Sequence, residues 1–379
     1  MDQHYPGSLS VASPENPGEA PGSGAMNHPQ APPAPVAFHY TQTDSFVALL
    51  HEIGASLLVS TYQANKLLAR DCPPWSARST SRWGWPWTDP GWPSAHAKRS
   101  GSCAMPPTSP HRSSRLASTM PAFCRDPVTS RAISAFTRSP GPGVSEVGSQ
   151  ESELWIVSTR FSCLATLSPD YSFVPRWRPP FISALAAEDR CHLNGLALVD
   201  GRPRYVTALG TTDVRDGWRA DKPHGGCIID IPSGEFVCRG LSMPHSPRWH
   251  DDRLWALESG TGSLVQVNRA TGQCETVAKL PGFTRGLAIA GPYAFVGLSK
   301  IRPTSAMDGV PLAEKRDQLQ CGVAVVNFLD GQLVAMLQFQ TAVEEIFDVQ
   351  LLPGIRFPEV FGFQKETLHH TFVIPPAGH

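Results

Sequence analysis

The sequence predicts an all-β protein, a β-propeller with six blades, and three repeated segments carry that prediction. Each repeat consists of a short apolar strand, a tight turn rich in Gly, Asp or Pro, and a second strand with an aromatic residue, a pattern typical of neighbouring strands in one blade. The copies start roughly 40 to 60 residues apart, as successive blades do. They span residues 194–207, 247–257 and 285–297.

Hairpins around these repeats predict further strands. Strands are expected at 226–231, 263–268 and 322–328, and each is followed by a turn containing Ser-Gly, Thr-Gly or Asp-Gly. Such dipeptides favour tight hairpin turns. Two more strands are expected at 153–159 and 162–168.

The first ordered elements are a helix and a hairpin. Thr43 and Asp44 are N-cap residue types that precede apolar residues at helical spacing, and Gly54 suits the C-cap. Residues 56–62 then predict a strand, with a second strand starting at Lys66. Later in the chain we expect an extended loop at residues 173–182 and one helical insert at 313–319.

Composition limits the class of protein. The chain has 379 residues, 41% of them apolar, which is enough for one large β domain or two ordinary ones. The net charge of −1 favours neither a nucleic-acid partner nor a membrane surface. We find neither a leader peptide nor a long apolar run, so we expect a cytoplasmic protein. Its nine cysteines contain no C-x-x-C pair and are expected to be free, buried thiols.

Domain boundaries follow from shifts in composition. Residues 1–37 are rich in Pro and Gly and predict a disordered tail. Residues 38–70 hold the first helix and hairpin, residues 144–372 hold the remaining blades, and residues 373–379 form a second tail.

The intervening segment, 71–143, departs from the blade pattern. It lacks Glu and nearly lacks Leu, Ile and Val, yet five of the ten tryptophans lie between Trp75 and Trp92. A disordered Pro/Ser/Arg-rich insert is one interpretation, but such inserts are poor in aromatic residues. A one-nucleotide shift of the reading frame lets the codons of 83–89 encode M-G-L-A-L-D, and those of 136–141 encode I-H-E-I-A-W. We therefore interpret 71–143 as a frameshifted, irregular segment that replaces strands of two blades.

Four strings of sequence carry a family resemblance. They are 58–64, 159–167, 173–177 and 344–349. They resemble an uncharacterised bacterial family of conserved hypothetical proteins, a domain of unknown function expected to be propeller-like, over about residues 40–70 and 150–360. The motif H-x-N-G-L-A, followed by Tyr-Val-Thr, is distantly similar to gluconolactonase and strictosidine-synthase-like six-bladed propellers. That second resemblance implies a divalent ion over the central channel.

Polar residues at the starts of inner strands are candidate metal ligands. His192, Asn194, His245 and Glu345 carry imidazole, amide and carboxylate groups that could hold a divalent ion or orient a water molecule. The alternative is that these side chains satisfy buried backbone groups where blades meet. No other cofactor is predicted.

Three further residues are candidate ligand contacts. Arg160 and Arg285 could pair with an anionic ligand, although ion pairs between blades would also account for them. Trp177 could stack on a ligand or partner from its loop, or that loop could be a rigid strap. Together these features favour a module that binds a small molecule or a protein through a polar central pocket. The alternative is a metal-assisted, lactonase-like hydrolase, so whether the protein is an enzyme stays open.

Overall fold

The computed structural model describes residues 38–62, 67–70, 154–302, 306–355 and 358. Both predicted tails and the segment 71–143 lie outside these residues. Within them the protein is all-β apart from one α-helix and three short 3-10 helices. None of the described helices is both long and apolar enough to cross a membrane.

Among the described residues, five antiparallel sheets form blades of a β-propeller, whereas the sequence predicted six blades. Blade I contains β2 (Ala55–Thr61), β3 (Leu67–Arg70) and β19 (Ile346–Pro353), and blade II contains β4 (Trp155–Ser158), β5 (Cys163–Thr166) and β6 (Val174–Trp177). Blade III contains β7 (Leu193–Val199), β8 (Arg202–Ala208), β9 (Gly226–Asp230) and β10 (Phe236–Leu241). Blade IV contains β11 (Pro244–His250), β12 (Arg253–Glu258), β13 (Ser263–Val267) and β14 (Cys274–Lys279). Blade V contains β15 (Phe283–Ala290), β16 (Tyr293–Ser299), β17 (Cys321–Asn327), β18 (Leu333–Phe339) and β1 (Tyr40–Gln42).

The predicted turns close most of the hairpins. Asp200 and Gly201 both have positive φ, as do Asp251 and Asp252, so each pair makes a two-residue turn between an inner strand and its neighbour. Positive φ at both positions matches the right-handed twist of the flanking strands. All three repeats recognised in the sequence are therefore confirmed as inner hairpins, namely β7–β8, β11–β12 and β15–β16.

The two ends of the described chain meet in blades I and V. In blade I, β19 pairs with β2, which joins the last strand to the first hairpin. In blade V, β1 pairs with β18. Between β1 and β2 lies α1 (Asp44–Glu52), which buries Phe46, Leu49 and Leu50 in the core of these two blades. The predicted first helix is confirmed, with Thr43 as its N-cap.

Two local predictions need correction. Residues 173–182 were expected to be a loop, but residues 174–177 form β6, which pairs with β5 at the edge of blade II. Pro175 hid this strand, and an edge position tolerates a proline because no neighbour requires its missing N–H. The helical insert is a 3-10 helix, Pro311–Gln318, with non-helical geometry at Lys315.

The inner strands lie side by side around the centre. β7 packs beside β11, β11 beside β15, and β15 beside β19. Hydrophobic clusters fill the spaces between blades; Leu257, Leu264, Leu287 and Val296, for example, lie between blades IV and V. The starts of these inner strands share one end of the propeller, and the long connections β8–β9 and β16–β17 lie at that end.

Candidate functional site

A β-bulge lies close to the start of each of the four inner strands β7, β11, β15 and β19. The register shifts at Asn194 in β7, at Ser246–Pro247 in β11, at Arg285–Gly286 in β15 and at Phe347 in β19. A bulge adds an unpaired residue and redirects its side chain, and bulges are common beside functional sites. Two of the candidate residues predicted from the sequence, Asn194 and Arg285, occupy these bulges.

The polar groups of the bulges bind one another. Asn194 donates from Nδ2 to the carbonyl oxygen of Pro244 at 3.0 Å and accepts from the Thr207 hydroxyl at 2.6 Å. The Ser246 hydroxyl accepts from the backbone N–H of Gly286 at 3.0 Å, so blades IV and V are joined there. These bonds satisfy partly buried polar groups, as the structural interpretation of Asn194 expected.

A hydrophobic cap lies over this end of the propeller. Residues from the β8–β9 and β16–β17 connections form a buried cluster separate from the cores of the blades. Lys222 in the first connection donates from Nζ to the carbonyl oxygen of Asp308 in the second at 2.7 Å. The cluster contains Leu209, Trp218, Met243, Phe283, Ile301, Met307, Val310, Ala313 and Leu319.

His245 is enclosed beneath this cap. Its residue exposure is 5%, its Nδ1 donates to the carbonyl oxygen of Met243 at 2.9 Å, and Nδ1 lies 3.0 Å from the Ser259 hydroxyl. Its ring meets Phe283 edge-on at 5.8 Å. Burial, followed by the nearby positive charge of Arg285, lowers the pKa of His245 well below its usual value of 6.5. The imidazole is therefore neutral in the folded protein at neutral pH.

Because of this buried imidazole, the free energy of unfolding decreases as the pH is lowered. Below pH 6.5 the unfolded chain takes up a proton on His245 that the folded protein does not. Stability from this residue is complete above pH 6.5 and is lost as the pH falls toward the lower pKa of the folded state, with a slope of at most about 1.4 kcal/mol per pH unit. When the pH is lowered from about 7.5 to 5.5, the free energy of unfolding should decrease by about 1.4 kcal/mol less in His245→Gln than in the wild type. Urea denaturation at the two pH values measures this difference.

The matched control is His224→Gln, because the side chain of His224 is 77% exposed. That variant should follow the wild-type pH profile. Equal slopes for wild type and His245→Gln would contradict the neutral, enclosed state of His245.

The four candidate metal ligands have separate protein partners. His192 pairs through Nδ1 with the carboxylate of Asp189 at 2.8 Å, and Glu345, which is 4% exposed, accepts from Arg302 at 2.8 Å. Asn194 and His245 make the bonds given above. Among the residues that the structure describes, no group of three or more His, Cys, Asp or Glu side chains is placed to hold a metal ion. Metal binding by these four residues stays a prediction.

A cavity of about 200 Å³ opens beside the cap, between blades II and III. Charged side chains of both signs form most of its wall. Three segments contribute them: the β4–β5 turn, the residues before β7, and the β8–β9 connection. The wall consists of Thr159, Arg160, Ala187, Glu188, Asp189, Arg215, Asp216 and Arg219.

The carboxylates of this wall are already paired. Glu188 accepts from Arg190 at 2.8 Å and lies 3.3 Å from Arg215. Asp189 binds His192 and also accepts from the indole N–H of Trp218 at 3.2 Å, which ties the cavity to the cap. The arginine contacts offset the charge of Glu188, and the hydrogen bonds from His192 and Trp218 hold the Asp189 carboxylate in place.

Arg219 and Asp216 form the outer rim of the cavity. Their ion pair is 3.3 Å long, and the two side chains are 42% and 48% exposed. The Arg219 guanidinium also stacks over the Trp218 ring, 4.3 Å from its centroid. Such an exposed ion pair contributes little stability, because water competes for both groups.

Arg160 differs from the other arginines of the cavity. Its backbone carbonyl accepts from the Asp189 N–H at 2.9 Å, which fixes the turn. Its side chain is exposed, and it pairs with no carboxylate in the described part of the chain. The N–H donors of the Arg160 guanidinium can therefore bind an acceptor group of a ligand in the cavity.

The other two candidate ligand residues lie elsewhere. The guanidinium of Arg285 lies over the rings of Phe347 and Tyr62, at 4.7 Å and 5.4 Å from their centroids, between blades I and V. Trp177 packs against the core cluster shared by blades II and III. The structure does not bring either residue to the wall of the Arg160 cavity.

Sequence reasoning missed most of the cavity wall. Arg160 was identified, but Glu188, Asp189, Arg215 and Arg219 were not. A signal was available, because four of the eight residues in 212–219 are charged and surround Gly217, a composition typical of an exposed functional loop. Its packing against residues 187–189 depends on contacts between blades and leaves no local pattern.

Comparisons with solved structures give only distant matches. The computationally designed Ika8 protein is 14% identical over 52% of this chain and 49% of its own, with a TM-score of 0.29. Hydrazine synthase of Kuenenia stuttgartiensis is 11% identical over 49% of this chain and 46% of its own, with a TM-score of 0.31. A catalytically inactive virginiamycin B lyase from Staphylococcus aureus is 11% identical over 50% of this chain and 62% of its own, with a TM-score of 0.27.

The chain thus spans less than two thirds of the length of each of these structures. At such TM-scores the matches assign neither activity nor site. No curated protein matches the sequence. One family model matches residues 143–361, which is more than half of the chain, and its description assigns no activity and gives no support to a lactonase. The predicted resemblance to a propeller-like domain of unknown function is therefore confirmed, and the chain belongs to the family DUF4915.

Proposed function

We propose that this propeller is a binding module for a small molecule with a carboxylate or phosphate group, which pairs with Arg160 in the cavity beside the cap. One observation carries the proposal: the side chain of Arg160 is the cation of the wall that lacks an acidic partner among the described residues. A guanidinium presents paired N–H donors that match the two oxygens of a carboxylate or phosphate.

The charges of the wall balance, with three arginines and three carboxylates, so the wall does not repel an anion overall. Arg190 reduces the repulsion of an incoming anion by Glu188, and Asp189 is hydrogen-bonded to His192. Arg219 is held on the rim by a long, exposed ion pair with Asp216. Because such pairs exchange readily with water, Arg219 can turn from Asp216 to a second oxygen of the ligand. The ligand would then be held between Arg160 and Arg219.

Cavity size sets the scale of the ligand. A volume of about 200 Å³ is below the range usual for drug-sized ligands, roughly 300 to 1,000 Å³. It suits a compact metabolite rather than a polymer segment. The half-open rim of charged side chains agrees with a ligand that carries more than one polar group.

The proposal is tested by calorimetric titration with two probes, succinate and inorganic phosphate. Arg160→Gln should weaken binding of the recognised probe at least about 10-fold, because a charged hydrogen-bonding pair contributes about 1.5–3 kcal/mol. The probe that binds distinguishes a carboxylate ligand from a phosphate ligand.

Arg253→Gln is the matched control. Arg253 is also an exposed arginine, but it starts β12 at the opposite end of the propeller from the cavity. That variant should bind like the wild type. Equal binding by wild type and Arg160→Gln, or no binding of either probe, would overturn the proposal.

We also propose that propellers of this family have six blades, with residues 71–143 read in the shifted frame supplying the sixth. Two blades have only three described strands, and both border this segment: β3 of blade I ends at Arg70, and β4 of blade II begins at Trp155. Blades III and IV contain four strands each. The segment between is long enough for one blade of roughly 40 to 50 residues and two further strands.

A further inference from the structure

Two cysteines meet where the outer edges of blades III and IV approach each other. Cys238 lies on β10 and Cys274 on β14, which are the outermost strands of their blades. Their Sγ atoms are 2.9 Å apart. The two residues are 36 positions apart in sequence, so the fold and not chain continuity brings them together.

This distance allows a bond with little rearrangement. A disulfide requires sulfurs about 2.05 Å apart, so the two Sγ atoms need to approach by less than about 1 Å. Both strands are fixed by pairing inside their sheets, β10 with β9 and β14 with β13. Both also pack on the apolar cluster between blades III and IV, which contains Ile228, Leu254 and Val265.

Access differs between the two thiols. Cys238 is 4% exposed, whereas Cys274 is only partly buried at the surface of the same cluster. A small reagent can therefore reach the pair from the side of Cys274. The contact between the two thiols lets them share one proton, so one sulfur can react as a thiolate while the other remains a thiol beside it.

We propose that Cys238 and Cys274 are a redox-active dithiol that forms a reversible disulfide between the outer edges of blades III and IV. The oxidant is a low-molecular-weight disulfide. One thiolate of the pair attacks it, forming a mixed disulfide and releasing one small thiol. The second cysteine loses its proton and displaces the other small thiol. Two thiols of the protein are oxidised, and one small disulfide is reduced to two thiols.

Other described cysteines provide an internal comparison. Cys163, Cys191, Cys227 and Cys321 are buried, and burial raises their pKa to about 11 for Cys163 and about 12 for the other three. Buried thiols of this kind are inert toward disulfides in solution. Among the cysteines that the structure describes, oxidation is therefore expected to be selective for the Cys238–Cys274 pair.

The test uses the full chain treated with oxidised glutathione, followed by alkylation of free thiols and peptide mapping by mass spectrometry. The expected product is a linked pair of peptides containing Cys238 and Cys274, lighter than the two free peptides by about 2 Da. The oxidised protein should also unfold at a temperature about 5 °C or more higher than the reduced protein, and dithiothreitol should reverse both changes.

Two serine variants complete the test. Cys274→Ser, at the more exposed position, should retain the fold, lose the linked peptides and leave no persistent glutathione adduct on the buried Cys238. Cys227→Ser should still form the link, since Cys227 lies outside the pair. Absence of the Cys238–Cys274 peptide from oxidised wild type, or a glutathione adduct on Cys274 that never resolves, would overturn the proposal.

Discussion

Gly286→Ala is expected to destabilise the protein by about 3 kcal/mol or more. Gly286 occupies the bulge of β15 with a φ of +82°, and a methyl group added there would lie 2.6 Å from the backbone nitrogen of Val349 and 2.8 Å from Cα of Asp348. Both atoms belong to β19, so neither can move without shifting an inner strand. Left-handed backbone costs about 1–2 kcal/mol for a residue with a Cβ, and overpacking costs about 1–3 kcal/mol more.

Gly291→Ala is the matched control, and urea denaturation is the measurement. Gly291 also has positive φ, at +52°, but a Cβ there meets no atom within 4 Å. Gly291→Ala should therefore lower the free energy of unfolding only by the cost of a left-handed backbone, about 1–2 kcal/mol. Equal losses for the two variants would show that the bulges of β15 and β19 are not in the close contact described here.

Restoring the reading frame across codons 71 to 143 is expected to stabilise the protein even more. The restored segment would supply the M-G-L-A-L-D and I-H-E-I-A-W strands and thereby add a sixth blade and complete blades I and II, which have three described strands each. Each large apolar side chain newly buried contributes about 1.5–3 kcal/mol, so several of them should add more than about 5 kcal/mol. For a domain of this size that corresponds to more than about 10 °C in the unfolding midpoint.

Calorimetry of the two chains measures this difference, with a scrambled segment of the restored composition as the control. The scrambled chain should unfold at the same temperature as the present chain. A restored chain no more stable than the scrambled one, together with a coding DNA that reads without any shift at codons 71 and 143, would contradict the six-blade proposal.

Much of the fold follows from local sequence because its hairpins are closed by local turn chemistry. Asp200-Gly201 and Asp251-Asp252 adopt positive φ in two-residue turns, so the strands on either side could be located within a residue or two. The edge strand β6 was missed for the opposite reason. Its two exposed residues, Pro175 and Arg176, resemble a loop, and only pairing with β5 makes it a strand.

The candidate site could be predicted only in part. His192, Asn194, His245 and Arg285 lie at or next to the starts of inner strands, as the sequence predicted, because each lies at the start of one of the repeated hairpins. Their surroundings could not be predicted. Trp218 covers His192 at a ring distance of 4.4 Å, and it comes from a connection whose sequence has no strand or helix period. Contacts of this kind depend on how blades are placed and not on local pattern.

The most direct test of the anion site is a crystal structure of the full chain grown with whichever probe, succinate or phosphate, binds more tightly. We predict an anion in the cavity between blades II and III, with its oxygens within hydrogen-bond distance of the Arg160 guanidinium and with Arg219 turned from Asp216 toward it. An anion bound instead beside Arg285, or an Arg160 side chain still directed to solvent with the probe bound elsewhere, would contradict this account.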